Sequence, residues 1–567
     1  MARRVSTRWL AAGIVLATVC ASLPAAPPEE LLRLVSEDSA FCVVVRDLRT
    51  HAADLESSPW LEAFRASKLG QTLAATPEAK QLNDVSQQVA RQLRMDPVQL
   101  RDEVFGDAVV FAYQNALPGH PEREAGLILT WARDPKVAAQ FIERLNEAQT
   151  QSAELKEVRR KTHQGRDYLQ RAKAQGPDEY CCLHGSVLMF SQQESAILKA
   201  IDRDLQAPPV SAEPPALARQ LAALNADGFA AVLLNPRAFD AELEQKLKAA
   251  AESESAFLRA FQTCWKAVGA VALTVRLDKH LTIDLTAAVK EDALPAGVRR
   301  LVSAADKPNQ LAGRFPTNSI LSVVGRIDPA VLLDALGEFM SPEARQGMRQ
   351  SLEQSLAPVF GKKPLPQSAE QVGPDWGLCV APPAANSAVP QVTVALRVRK
   401  GAEAEQSLLE ALDGVTTLIR FGYNANHPEP IRVKTARQGE IEVKYLACDG
   451  FPPGFQPAYA VKNGFLVVAS SPTAVAAFGS GSLTAKSAPI ISLAFRQLDS
   501  YLSAHQADLV SWIAAGDKVS KDDAVRQIEY IRVGIELLDR LELSSDTPQP
   551  GRPRLSLRLS FTKPLKK

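Results

Sequence analysis

The strongest constraint on this chain is that it repeats itself. The stretch Arg314 to Leu336, RFPTNSILSVVGRIDPAVLLDAL, re-enacts Leu34 to Leu55, LVSEDSAFCVVVRDLRTHAADL. Ser39 matches Ser319, Val43 and Val44 match Val323 and Val324, and Arg46 matches Arg326. Each copy passes from a polar turn into a β-branched strand, then through an aspartate into an apolar-periodic helix. Both therefore open the same supersecondary unit.

Five further segments recur in the same order. The strand–helix pair at Ala125 to Leu145 returns at Val392 to Leu412, and Gln164-Gly165 returns as Gln438-Gly439. Tyr180…His184-Gly185 returns as Tyr459…Asn463-Gly464, Ala231 to Leu234 as Ile490 to Leu493, and Leu281 to Ala287 as Leu555 to Phe561. The spacing drifts (319−39 is 280, 412−145 is 267, 464−185 is 279, 555−281 is 274), as surface connections of variable length allow. At 567 residues the chain exceeds what one core usually spans, about 250–300 residues. The expectation is two homologous units, 27–290 and 311–567, joined by a linker at 291–310 and related by a pseudo-two-fold axis.

The fold class expected is α+β: two tandem homologous units, each with a mostly antiparallel sheet packed against helices. Leu555, Leu557, Leu559 and Phe561 alternate with Ser556, Arg558 and Ser560, the pattern of a strand with one buried and one wet face. Thr76-Pro77-Glu78 reads as a helix start and Asp134-Pro135 as another, with Val137, Phe141, Ile142 and Leu145 on one face of the second helix. Long amphipathic helices are expected at Arg237 to Trp265 and Ala524 to Asp539, their apolar stripes serving the core.

Residues 1–26 stand apart. Arg3, Arg4 and Arg8 precede the apolar run Trp9 to Val19, which is shorter than a bilayer span, and Ala21 to Ala26 are small enough to offer a cleavage site. This is a signal-peptide pattern and predicts export to the periplasm or exterior. Its removal takes three Arg and no acid, so the net charge goes from +1 to −2. Such balance gives no support for nucleic-acid binding. Six of the seven cysteines remain. Cys42, Cys181, Cys182 and Cys379 lie in apolar strands and read as buried thiols; Cys181 and Cys182 are adjacent and point to opposite faces, which disfavours pairing with each other.

No catalytic, cofactor-binding or metal-binding set is complete. HExxH and two-Cys knuckles are absent, and the seven His are scattered. His184 sits at a turn position held by Asn463 in the second copy, which suits a turn-former. Gly479-Ser480-Gly481-Ser482 lacks the final glycine of a nucleophile elbow, and Gly361-Lys362-Lys363 lacks the rest of a phosphate-cradling loop. Glu37-Asp38 and Asp522-Asp523 read as solvated caps. Arg46 and Arg326 recur at a strand end, where a structural ion pair is expected and a shared ligand-binding role is the alternative.

Ser36-Glu37-Asp38-Ser39 with Cys42 to Val45, and Pro316-Thr317-Asn318-Ser319 with Leu321 to Val324, give the chain a resemblance to bacterial secreted "domain of unknown function" families built from duplicated α+β units. The resemblance covers most of the chain after residue 26 and implies no activity, cofactor or catalytic residue. The function expected is therefore non-enzymatic, a binding or envelope-structural role. The alternative is a periplasmic carrier of an apolar ligand such as lipid. A third reading is a hydrolase whose site is assembled from distant residues.

Overall fold

A computed structural model describes residues 27–206, 213–250, 252–305, 307–311, 313–360, 371–385, 387–399, 401–481, 489–516 and 518–565. The signal-like segment 1–26, Gly361-Lys362-Lys363 and Ser482 lie outside the described residues. The chain forms two compact units. One holds the residues up to Ala53 with Pro77–Ala241 and Ala272–Thr274; the other holds Asp54–Thr76, Glu242–Val271 and Val275–Lys567. Helices alternate with antiparallel sheet in both, an α+β architecture.

The first unit contains β1 Phe41–Arg46, β2 Ala108–Gln114, β3 Ala125–Trp131, β4 Leu155–His163, β5 Arg166–Lys173, β6 Glu179–His184, β7 Val187–Ser191 and β8 Ala230–Leu234. Their order is β8-β1-β2-β3-β7-β6-β5-β4, every pair antiparallel. Alternation decides the faces. Cys42, Val44, Val110, Ala112 and Leu129 are buried beneath the helices Pro27–Leu34 and Glu194–Gln206, which contribute Leu31, Leu32, Ile197 and Ile201. On the other face the helix Pro135–Gln151 packs Ile142, Val137 and Phe141 against Cys181, Leu188 and Leu169. Asp134 caps that helix by accepting the Lys136 N–H, as its sequence predicts. The helix Pro77–Leu93 packs alongside it. Arg144 fastens the two by donating to the Arg94 carbonyl at 2.6 Å, a cation at a helix C-terminus.

Strand β9, Val268–Leu277, carries residues of both units and turns through Asp278 and His280 into β10, Leu281–Val289. The second unit then contains β11 Leu321–Arg326, β12 Val372–Ala381, β13 Gln391–Val398, β14 Arg432–Gln438, β15 Ile441–Ala447, β16 Ala458–Lys462, β17 Phe465–Ala469, β18 Ile491–Ala494, β19 Leu538–Asp546 and β20 Arg554–Phe561. Their order is β10-β20-β19-β18-β11-β12-β13-β17-β16-β15-β14, again antiparallel throughout. From β18 to β14 this is the order of the first sheet from β8 to β4.

Several sequence expectations need correction. The stretch 291–310 is not an irregular linker, because Ala296–Ala305 is a helix packed on Pro329–Gly337. Gly297 permits that approach: a Cβ there would meet the Ala335 Cα at 2.9 Å. The long helix expected at Arg237 to Trp265 is broken into Pro236–Phe239, Asp240–Ala249 and Glu252–Ala267. Two repeat matches are also one residue out. The β6–β7 hairpin turns after His184 and the β16–β17 hairpin after Lys462, so the left-handed Gly185 corresponds to the left-handed Asn463. Likewise His163 and Gln438 are the last paired residues before their turns. Turn backbone, rather than residue identity, fixes the alignment.

The terminal strand departs from a simple buried face. Leu555 is 39 % exposed, and Leu557 and Leu559 are half-buried. They belong to a row that crosses the second sheet in register: Ile283, Leu557, Leu543, Ile491, Val323, Leu378 and Val394, none of them buried. The opposite face carries the core, where Cys379, Ala395, Val467 and Phe465 meet Phe315 and Phe478. Among the described residues no helix is long and apolar enough to cross a membrane.

Candidate functional site

The most distinctive cavity of the first unit lies where the helix Pro77–Leu93 leaves the sheet uncovered. It is a groove of about 440 Å³, and apart from Ser86 and Arg101 its walls are apolar. Val45 and Val109, cross-strand partners on β1 and β2, form the floor. Val89 and Leu93 come from the helix, and Leu100 and Phe105 also line the groove. Val89 stays 39 % exposed, so the helical stripe is only partly used in packing.

Part of the groove wall is built from unusual backbone. Leu100–Val104 forms a π-helical turn, a conformation that recurs at functional positions. The strand β2 starts only after it, at Ala108. Gly106 follows, and a Cβ there would sit 2.3 Å from the Asp102 carbonyl oxygen. Across from it, Asp47 adopts a left-handed φ of 50° at the end of β1 and donates its N–H to the Asp107 carbonyl at 2.9 Å.

Three arginines converge on this turn. Arg101 places Nε at 2.7 Å and Nη2 at 3.1 Å from the two Asp102 carboxylate oxygens. Arg49, next to the groove residue Leu48, places Nη2 at 3.1 Å from Asp107. Its Nη1 is buried with no hydrogen-bond partner among the described residues. The Arg101 hydrogen bond holds the Asp102 carboxyl below the usual carboxylate range, with the charges of Arg101, Arg49 and Arg133 adding to it.

Arg46 donates to the Gly228 carbonyl at 3.3 Å, and burial lowers its pKa against the opposing pull of Asp227. Its sequence partner Arg326 makes the expected ion pair, with Asp375 at 2.7 Å, and also donates to the Ala304 carbonyl. Strand register exposes a second recurring arginine that sequence matching missed. Tyr113 pairs with Gly126 and Val380 with Val392, and seven residues beyond lie Arg133 and Arg399. Arg399 is bound to Asp328 at 2.8 Å. The cleft of about 380 Å³ between Arg326, Arg397 and Arg399 has Gln310 and Asp375 in its walls, so it is polar where the first unit's groove is apolar.

The other residues singled out from sequence lie elsewhere. His184 shares a 2.9 Å hydrogen bond between its Nδ1 and Arg166. Asp38 bonds Ser36 and accepts from Gln114 at 3.2 Å, while Asp523 pairs with Ser520 at the start of the helix Lys521–Ile535. The six described cysteines are free thiols, with Cys42, Cys181, Cys182 and Cys379 buried. Among the described residues no three His, Cys, Asp or Glu side chains come together as a metal site. Comparison with known proteins found no family model, no curated protein and no solved structure that matches the chain.

Proposed function

We propose that the chain is an exported, non-enzymatic binding protein that carries an apolar ligand in the groove of its first unit. The groove carries the reading. Its volume falls within the roughly 300–1,000 Å³ of small-ligand sites, and walls almost without hydrogen-bonding groups favour a ligand equally poor in them. Binding would be driven by burial of apolar surface and marked by a negative heat-capacity change. The arginine-flanked, signal-like segment 1–26 supports export, and the resemblance to secreted duplicated families agrees with it.

Duplication belongs to the same reading. The matching strand orders, β8 to β4 and β18 to β14, support two homologous units. So does the pairing of β10 with β20. Ile283 faces Leu557, and 557−283 is 274, the spacing by which the two strands match in sequence. Around that pair the register is reciprocal, Leu281 with Leu559 and Leu285 with Leu555, as a two-fold relation between the two strands requires. An envelope-structural role is the second reading, favoured by the open row from Ile283 to Val394, a face of the kind that marks partner surfaces.

Native mass spectrometry of the protein purified from its exporting host tests the proposal. The expected result is a reproducible added mass that solvent extraction removes and that Val89→Trp, which fills the groove, abolishes. A bare mass, with no uptake of a fluorescent fatty acid by the extracted protein, overturns it. The same spectrum reports whether residues 1–26 are removed.

A further inference from the structure

We infer that the cleft of the second unit between Arg326, Arg397 and Arg399 is a phosphate site, taking inorganic phosphate or the phosphate group of a small ester. It is separate from the apolar groove of the first unit and does not rest on that reading. Strand geometry makes the cleft. Arg326 and Asp375 are cross-strand partners on β11 and β12, and Arg397 pairs with Phe465 across β13 and β17. Between β12 and β13 the register slips from Val372 to Trp376, and Gly373 and Pro374 within that slip line the cleft. Such an irregularity bends a strand and re-aims the side chains beside it.

Charge decides what the cleft can take. Asp375 answers Arg326 at 2.7 Å, and Asp328 answers Arg399 at 2.8 Å. Arg397 is the guanidinium left over. It lines the cleft half-buried, and among the described residues it forms no ion pair; its hydrogen bond is a 3.4 Å contact to the Asn463 carbonyl. The group is nevertheless held in place, because it lies over the Phe465 ring, 4.9 Å from the centroid. Two glycines make room for it: a Cβ at Gly373 would lie 2.6 Å from the Arg397 Cγ, and one at Gly464 2.8 Å from Nη1. Arg314 shares the same ring at 5.2 Å and likewise forms no ion pair among the described residues, so an anion here meets uncompensated positive charge. Three guanidinium groups around one cleft suit phosphate. Its oxygens spread in three dimensions, whereas the two of a carboxylate lie in one plane, and arginine forks bind phosphate bidentately. The volume of about 380 Å³ leaves space beyond the ion for the rest of a small ester.

Isothermal titration of the full chain with inorganic phosphate, glycerol phosphate and acetate tests this. At least one of the two phosphates should bind saturably at one site, with a Kd of about 1 mM or tighter, and acetate at least about tenfold more weakly. The tighter of the two phosphates tells the free ion from the ester. Arg397→Met, which keeps an apolar stem over Phe465, should weaken binding at least about tenfold, the scale of one charge-assisted hydrogen bond, and Arg397→Lys should restore part of it. A second readout needs no variant: the bound phosphate should protect Arg397 of the unaltered protein from phenylglyoxal, read by peptide mass. Acetate binding as tightly as phosphate overturns phosphate as the ligand. No saturable binding of either phosphate, or binding that leaves Arg397 unprotected, overturns the site.

Discussion

Arg171 heads the fully buried side chains by volume, yet nothing in the strand RDYLQRAK marked it as one. It donates to Asn146 at 2.8 Å and to Gln149, both on the helix Pro135–Gln151, and pairs with Glu179 on β6. Alternation places a residue on a face but does not say that a charge there has three partners waiting. Arg171→Met should lower stability by about 3 kcal/mol, because it strands Glu179 with Lys173 alone; urea unfolding measures it. Buried hydroxyls make a pH prediction. Tyr168 and Tyr459 donate to Glu194 and Asp413, and burial first, then those bonds, push both up to about 12. A tyrosine unfolds to a pKa near 10, so its folded value is raised. The stability these two contribute is complete below pH about 10 and is lost as pH rises toward about 12. Absorbance of tyrosinate should show Tyr168 and Tyr459 among the residues that lag until the chain unfolds, since burial also raises Tyr180, Tyr423 and Tyr501. Burial likewise raises Cys42 to about 12 and Cys181 and Cys182 to about 11, so alkylation of the native protein at pH 8 should label Cys264 and Cys448 first, read by peptide mass.

At the scale of elements, helix starts were the most legible features, since Asp134-Pro135 and Asp328-Pro329 cap by a side chain that the sequence displays. Hairpin registers were less so. Matching Gln164-Gly165 to Gln438-Gly439 followed residue identity, whereas the turns are set by which residue takes a left-handed φ. The groove could not be read at all. Its walls come from separated stretches of the chain, and one of them depends on a π-helical turn. Glycines at two turns give a test of the local argument. Gly165 and Gly464 both hold positive φ, so alanine should cost each about 1–2 kcal/mol. Gly464→Ala should cost more, because its Cβ would also lie 2.8 Å from the Arg397 guanidinium that stacks over Phe465; nothing lies within 4 Å at Gly165. Paired urea midpoints decide it.

For the whole molecule, two compact units with separate cores should melt in two calorimetric transitions. Dodecanoate at 100 times its dissociation constant should raise only the transition of the unit that holds the groove, by about 2.7 kcal/mol in stability. A shift of both, or of the other alone, would contradict the assignment of the ligand to that unit. The α+β class was legible because apolar periodicity marks strands and helices one by one. The unit boundaries were not, since β10 joins β20 across some 270 residues of sequence, and no local pattern announces such a partner. That pairing has a consequence for where the chain can be cut. The last strand, β20, lies between β10 and β19, so a chain cut before Arg554 would leave both of those strands with an open edge, the kind of unpaired backbone that recruits another chain.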